Sequence, residues 1–151
     1  MNAEKMKKTF RVVGLKGEGA FTDFNTEVPK LARQFLERLH EIEAEQGPEI
    51  ALYEPKRASD HLEGIYYVGI MVGESFTNVP VGMEYIELEE EYVTAKGKIH
   101  HIGKLHSELV QWMDDRGYNR KPDSYIVETY HPLENGEEDV AVYLPIKMQN
   151  S

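Results

Sequence analysis

The chain carries one ordered set of segments twice. Val12-Val13-Gly14-Leu15-Lys16-Gly17 lies over Tyr92-Val93-Thr94-Ala95-Lys96-Gly97. Pro29-Lys30-Leu31, through Phe35-Leu36 to Leu39, lies over Gly103-Lys104-Leu105, through Leu109-Val110 to Met113. Ile50-Ala51-Leu52-Tyr53-Glu54-Pro55 lies over Val127-Glu128-Thr129-Tyr130-His131-Pro132, and Tyr67-Val68-Gly69-Ile70 over Tyr143-Leu144-Pro145-Ile146. One such match is cheap by chance. All four in the same order, with gaps only in the connections, decide the architecture.

Local patterns place elements on this frame. Residues 9–16 alternate and are rich in Phe and Val, which predicts a strand; the glycines of 17–25 predict a loop. Thr26 is the predicted N-cap of a helix over 28–45, with Val28, Leu31, Phe35, Leu39 and Ile42 as its apolar stripe and Gly47-Pro48 as its stop. Strands are predicted over 49–53 and 65–72, then a linker over 73–83, then a long strand over 85–98. Ile102, Leu105, Leu109, Trp112 and Met113 make a second helical stripe ended by Gly117. Residues 124–131 and 139–147 read as strands joined by the Asn135-Gly136 turn. Each repeat, about 9–72 and about 85–147, is therefore a β-α-β-β unit within a single domain spanning 1–151. The predicted class is α+β: an internally duplicated unit, two helices packed on antiparallel sheet, pseudo-twofold symmetry and a central ligand cleft.

Composition narrows function. A formal net charge of −10 with no basic cluster argues against nucleic acid as a partner. No apolar run reaches the roughly 20 residues of a membrane helix, so no membrane role is expected. The first eight residues are polar and basic without an apolar core, unlike a secretory signal, and the expected location is cytoplasmic. With no cysteine, thiolate metal sites and thiol nucleophiles are excluded. No cofactor is expected. His100, His101 and His106 match no metal-ligand spacing, so no metal site is expected. There is no GxSxG or GxGxxG motif.

The positions where the repeats differ are the candidates for chemistry, because a junction between repeats is a natural groove. Glu128 lies over Ala51, Trp112 over Arg38, and His131 over Glu54. A carboxylate in mid-strand is costly to bury. Glu128 either faces solvent, pairs with a lysine across the sheet, or forms the floor of an aromatic groove, where it attracts a cation or acts as general base. Nine tyrosines are many for 151 residues, and seven fall on predicted strands: Tyr53, Tyr66, Tyr67, Tyr92, Tyr125, Tyr130 and Tyr143. Tyrosine suits planar or cationic ligands and also simply favours strands.

Tyr92 to Gly103 (YVTAKGKIHHIG), the helix carrying Leu105, Leu109 and Trp112, Asp114 to Gly117, Val127 to Pro132, and Val142 to Lys147 together resemble one family. It is the GyrI-like small-molecule-binding family, known as the effector-binding domain of bacterial transcription activators. The resemblance spans about residues 6–147. It implies a cleft between the repeats for lipophilic, planar or cationic aromatic compounds, with a glutamate at its centre. Glu128 matches the glutamate of the family's E-x-Y pattern, Tyr130 its tyrosine, and Trp112 a frequent helix tryptophan. The expected ligand-binding set is Glu128, Tyr130, Trp112, Tyr67, Tyr143, Tyr53 and Tyr125. No DNA-binding helix-turn-helix precedes the domain in this sequence, so it reads as a stand-alone member. The first functional reading is a binding protein, either monomer or homodimer. The alternatives are a hydrolase of reactive cyclopropane-bearing compounds with Glu128 as the catalytic residue, and a protein-interaction role toward DNA gyrase carried by the acidic stretch Glu87 to Glu91.

Overall fold

The computed structural model describes residues 1–75 and 78–148. Its elements are β1 (Glu4–Ala20), α1 (Phe24–Glu37), β2 (Gln46–Tyr53), β3 (Glu63–Val72), β4 (Glu84–Lys98), α2 (Ile102–Asp115), β5 (Ile126–Pro132) and β6 (Glu138–Ile146). This is β-α-β-β twice, an α+β arrangement of two helices on a six-strand antiparallel sheet. The sheet closes on itself in the order β1-β3-β2-β5-β6-β4. Phe76 and Thr77, inside the predicted linker, lie outside the described residues. Among those described, no helix is long and apolar enough to cross a membrane.

Strand alternation sorts the side chains into two layers, because successive residues point to opposite faces. Phe10, Val12, Ile50, Leu52, Tyr67, Tyr92 and Val127 pack together without any helix residue, filling the ring. Their neighbours point outward. Val13, Val68 and Ile70 meet Val28 and Phe35 of α1, while Val93, Val142 and Leu144 meet Leu105, Leu109 and Met113 of α2. Each such fully buried side chain contributes roughly 1.5–3 kcal/mol. α1 therefore lies on β1 and β3, and α2 on β4 and β6. The outer face of β2 and β5 is left between the helices.

The strand registers are compatible with duplication. Exchanging β2 and β5 turns the pair Ile50↔Thr129 into Leu52↔Val127 and leaves Ala51↔Glu128 unchanged, so the pseudo-twofold passes through that pair. They also correct the repeat alignment. β3 pairs Val68 with Ala51, and β6 pairs Val142 with Glu128, so Val142, two residues before Leu144, is the equivalent of Val68. The helix starts equate Phe24 with Ile102, and hence Val28 with His106, one turn away from the sequence match.

Three boundaries differ from expectation. β1 runs through the predicted loop to Ala20, and a 3-10 turn at Phe21–Asp23 leads into α1. Gly17 pairs with Tyr66 within the strand, and it is glycine there because the Tyr66 ring occupies the space that a Cβ would take. α1 begins two residues before Thr26 and ends at Glu37, well short of residue 45. There Arg38 grips the Glu41 carboxylate at 2.7 and 2.9 Å and the Val81 carbonyl at 2.7 Å, holding the chain in a 3-10 turn over Leu39–Glu41. Gly47 and Pro48 stop no helix; they sit in β2 where its register to β3 shifts between Gln46 and Glu49. A proline is tolerated at such a bulge because no ladder hydrogen bond is demanded of it.

Two glycines face each other across β1 and β3 at the pair Gly14↔Gly69, where a Cβ on Gly69 would overlap the Val13 carbonyl oxygen. Gly69→Ala is expected to cost about 1–3 kcal/mol, the usual range for overpacking. A thermal melt should show a loss of several degrees, of the order of ~2–4 °C per kcal/mol for a chain of this size.

Candidate functional site

The space over β2 and β5 is a cleft of about 820 Å³. Ala51, Tyr53, Glu128 and Tyr130 form its floor, and the two helices form its walls. The small side chain of Ala51 at the axis leaves room above the sheet. Equivalent positions line both sides: Phe21 with Ile99, Phe24 with Ile102, and Val28 with His106.

Glu128 is 7% exposed. A buried carboxylate persists only if its lone pairs are met by donors. Tyr130 Oη donates to Glu128 Oε1 at 2.6 Å, and Tyr53 Oη does so at 3.1 Å. The two phenol oxygens are 3.2 Å apart. His106 Nε2 lies 2.7 Å from Glu128 Oε2. A carboxylate only accepts, so the imidazole donates from Nε2–H. Burial first, then the Glu128 charge, pushes the Tyr53 phenol well above its ordinary range. Burial, followed by Tyr53 and Glu128, does the same to Tyr130. Both phenols therefore remain protonated donors at neutral pH.

The structure brings three of the expected residues together: Glu128, Tyr130 and Tyr53. It places the others elsewhere. Tyr67 and Tyr125 stack edge to face at 5.9 Å, and Tyr143 packs on Phe10 at 4.9 Å, on the side of the sheet that fills the ring. Burial, with a smaller contribution from Glu84, pushes the Tyr67 phenol up to about 12. Trp112 packs with the α2 core, and the Arg116 guanidinium lies 4.0 Å over its ring. His106 was visible in the sequence only as part of a histidine cluster without metal spacing; its distance of four residues from Ile102 on the helix stripe was the usable signal. The acidic stretch of β4 is largely ion-paired, Glu87 with Arg11 at 3.2 Å, Glu89 with Lys7 at 3.2 Å and Glu90 with Lys121 at 2.8 Å.

Residues 3–147 match the GyrI-like small molecule binding domain. The chain belongs to the GyrI-like family. No curated protein matches the sequence. Among solved structures, this GyrI-like domain is similar to SAV2435 bound to tetraphenylphosphonium, with a TM-score of 0.71, 12% identity and coverage of 97% of this chain and 94% of that one. It is similar to the EcmrR C-terminal domain, with a TM-score of 0.69, 14% identity and coverage of 98% of each chain. A hydrolase encoded by lin2189 from Listeria innocua matches with a TM-score of 0.59, 12% identity and coverage of 96% and 91%. At these identities the likeness is one of fold. The family assignment makes the domain a small-molecule binder.

Two stability predictions follow from the site. Tyr130→Phe removes the shorter phenol donor and should cost about 1.5–3 kcal/mol in denaturant unfolding, the range for a hydrogen bond to a charged group. Glu49 lines the cleft, and burial followed by the Glu138 charge raises its carboxyl above the ordinary value. A carboxyl whose folded value is raised loses stability as pH climbs through that value. Glu49→Gln should therefore melt higher than the wild type at neutral pH, with the gap closing below the ordinary carboxylate range.

Proposed function

We propose that this GyrI-like domain binds lipophilic, planar aromatic cations in the cleft between its two helices, with Glu128 as their counter-charge. The carrying observation is a carboxylate buried under an apolar cleft, held in place by three donors on a floor of tyrosines. Burial weakens screening, so a ligand cation gains more from Glu128 here than it would from a surface acid. Phe21, Phe24 and Phe35 supply faces and edges for an aromatic body. The tetraphenylphosphonium in SAV2435 is likewise a lipophilic aromatic cation, though tetrahedral at phosphorus rather than planar.

A second reading, hydrolysis of a strained electrophile such as a cyclopropane-bearing compound, is favoured by one observation. The His106–Glu128 contact supplies the second proton-handling group that a lone carboxylate lacks. In that case Glu128→Gln would lower the rate of product formation more than it lowers substrate binding.

The test of the binding reading is a fluorescence-polarisation titration of cationic and neutral dyes of matched shape. Glu128→Gln should weaken cations at least about tenfold, equivalent to 1.4 kcal/mol, and leave neutral dyes within about twofold. Equal weakening of both classes would remove the counter-charge role from Glu128.

A further inference from the structure

A second carboxylate stands on the floor of the same cleft. Glu49 is the Cα partner of Tyr130 in the β2–β5 ladder, as Ala51 is of Glu128, so it shares the outer face with the four floor residues. Glu49 and Glu128 are therefore diagonal neighbours across one strand pair, where positions on a common face stand roughly 7–8 Å apart. Tyr130 lies beside both: it opposes Glu49 in the ladder and donates to Glu128 at 2.6 Å. The pseudo-twofold does not call for this second acid. The exchange that carries Ala51 onto Glu128 carries Glu49 onto Ile126, an apolar residue that lines the other end of the cleft.

The acids of the cleft differ in what meets them. Glu128 is held by two phenols and an imidazole. Glu54 is committed too: its Oε1 accepts the Ile65 N–H at 2.9 Å, and its Oε2 lies 2.8 Å from His61 Nε2 and 3.1 Å from Arg57. Glu49 is half-buried, and among the described residues no hydrogen bond or ion pair engages it. The charge that acts on it is another acid, Glu138 of β6, which lines the same cleft. Arg33 and Lys56, the cations of the lining, are both exposed and leave that repulsion unrelieved. A partly desolvated carboxylate beside a like charge gains from any cation brought to it.

Resting on the cation-binding reading above, we propose that Glu49 is a second counter-charge that makes this cleft selective for rigid aromatic dications. One charged end lies on Glu128, the other on Glu49, and the aromatic body spans Tyr130. A monocation satisfies one acid and leaves Glu49 facing Glu138 alone. A dication meets both acids, and its second end enters a place already partly withdrawn from water, where pairing is screened less than at the surface. The net charge of −10 also draws dications, but that pull is shared by every acid of the chain and fades with salt. The Glu49 contact is local, so the two accounts separate.

The matched probes are 1,1′-dimethyl-4,4′-bipyridinium, with a charge at each end of a biaryl body, 1-methyl-4-phenylpyridinium, with one charge on the same body, and neutral 4-methylbiphenyl. Calorimetric titration of the wild type at neutral pH and physiological salt should give at least about tenfold tighter binding of the dication than of the monocation. Glu49→Gln, nearly isosteric and uncharged, should cut this preference to about threefold or less. Glu49→Asp, which keeps the charge, should hold it above the level of Glu49→Gln. Glu18→Gln removes the same unit of charge from an exposed position outside the cleft lining and should leave the preference as in the wild type. The melt already predicted for Glu49→Gln shows that this variant is folded when it is titrated. A wild type that binds the monocation as tightly as the dication overturns the proposal. So does a preference untouched by Glu49→Gln, and so does an equal fall in Glu49→Gln and Glu18→Gln, which assigns the preference to overall charge. The cation-binding reading fails differently: the neutral probe then binds at least as tightly as both cations.

Discussion

Backbone pairing between β2 and β5 joins the two halves of the molecule at their axis, and the cleft depends on it. The pair Ala51↔Glu128 lies on that axis. Because side chains alternate, its register decides that Ala51, Tyr53, Glu128 and Tyr130 share the outer face while Leu52 and Val127 fill the ring. A slip of one residue would bury the carboxylate among Phe10, Val12 and Tyr92 and turn the core residues out toward the helices. The helices cannot cover this strip, since each is occupied by the strands of its own repeat. The opening between the repeats therefore follows from where each helix must hide its apolar stripe.

Glu128 shows how such a site tolerates a group that the fold does not need. Removing a carboxylate from water costs several kcal/mol, and that cost is offset only by donors in good geometry. Two phenols and an imidazole supply them from three elements, β2, β5 and α2. The two phenols are themselves fixed by packing against the cores of the two halves, so the carboxylate is pre-oriented before any ligand arrives, and little ordering remains to be done on binding.

Much of this was legible in the sequence, and what was missed has physical causes. The β-α-β-β order, the class and the prominence of Glu128 came from the repeat and from one charged residue in an apolar strand. The repeat alignment missed by two residues along the last strand and by one turn along the helix. Both shifts keep the apolar face in place, so hydrophobic patterning is blind to them. The same alternation could have sorted the tyrosines: Tyr125 and Tyr130 are five residues apart on one stretch and so face opposite ways, and only Tyr130 shares the parity of Glu128. The closure of the sheet was not visible, because pairings such as Glu4↔Thr94 span more than a whole repeat and leave no local trace. The early end of α1 depends on Arg38 reaching the Val81 carbonyl, 43 residues away in the chain.

The closed ring of strands has a consequence for how the domain meets other proteins. An open sheet ends in a row of unsatisfied amide and carbonyl groups, onto which a foreign strand can dock with little regard for its side chains. Here each of the six strands has a neighbour on both sides. Along the stretches paired on both sides, recognition of another protein must be made by side chains, which makes association selective. Among the described residues, the longest free backbone border is that of the β1–β4 ribbon, where β1 before Val12 pairs only with β4 and β4 before Glu91 only with β1, and there the ion pairs of Lys7 and Arg11 with Glu89 and Glu87 line it with charge.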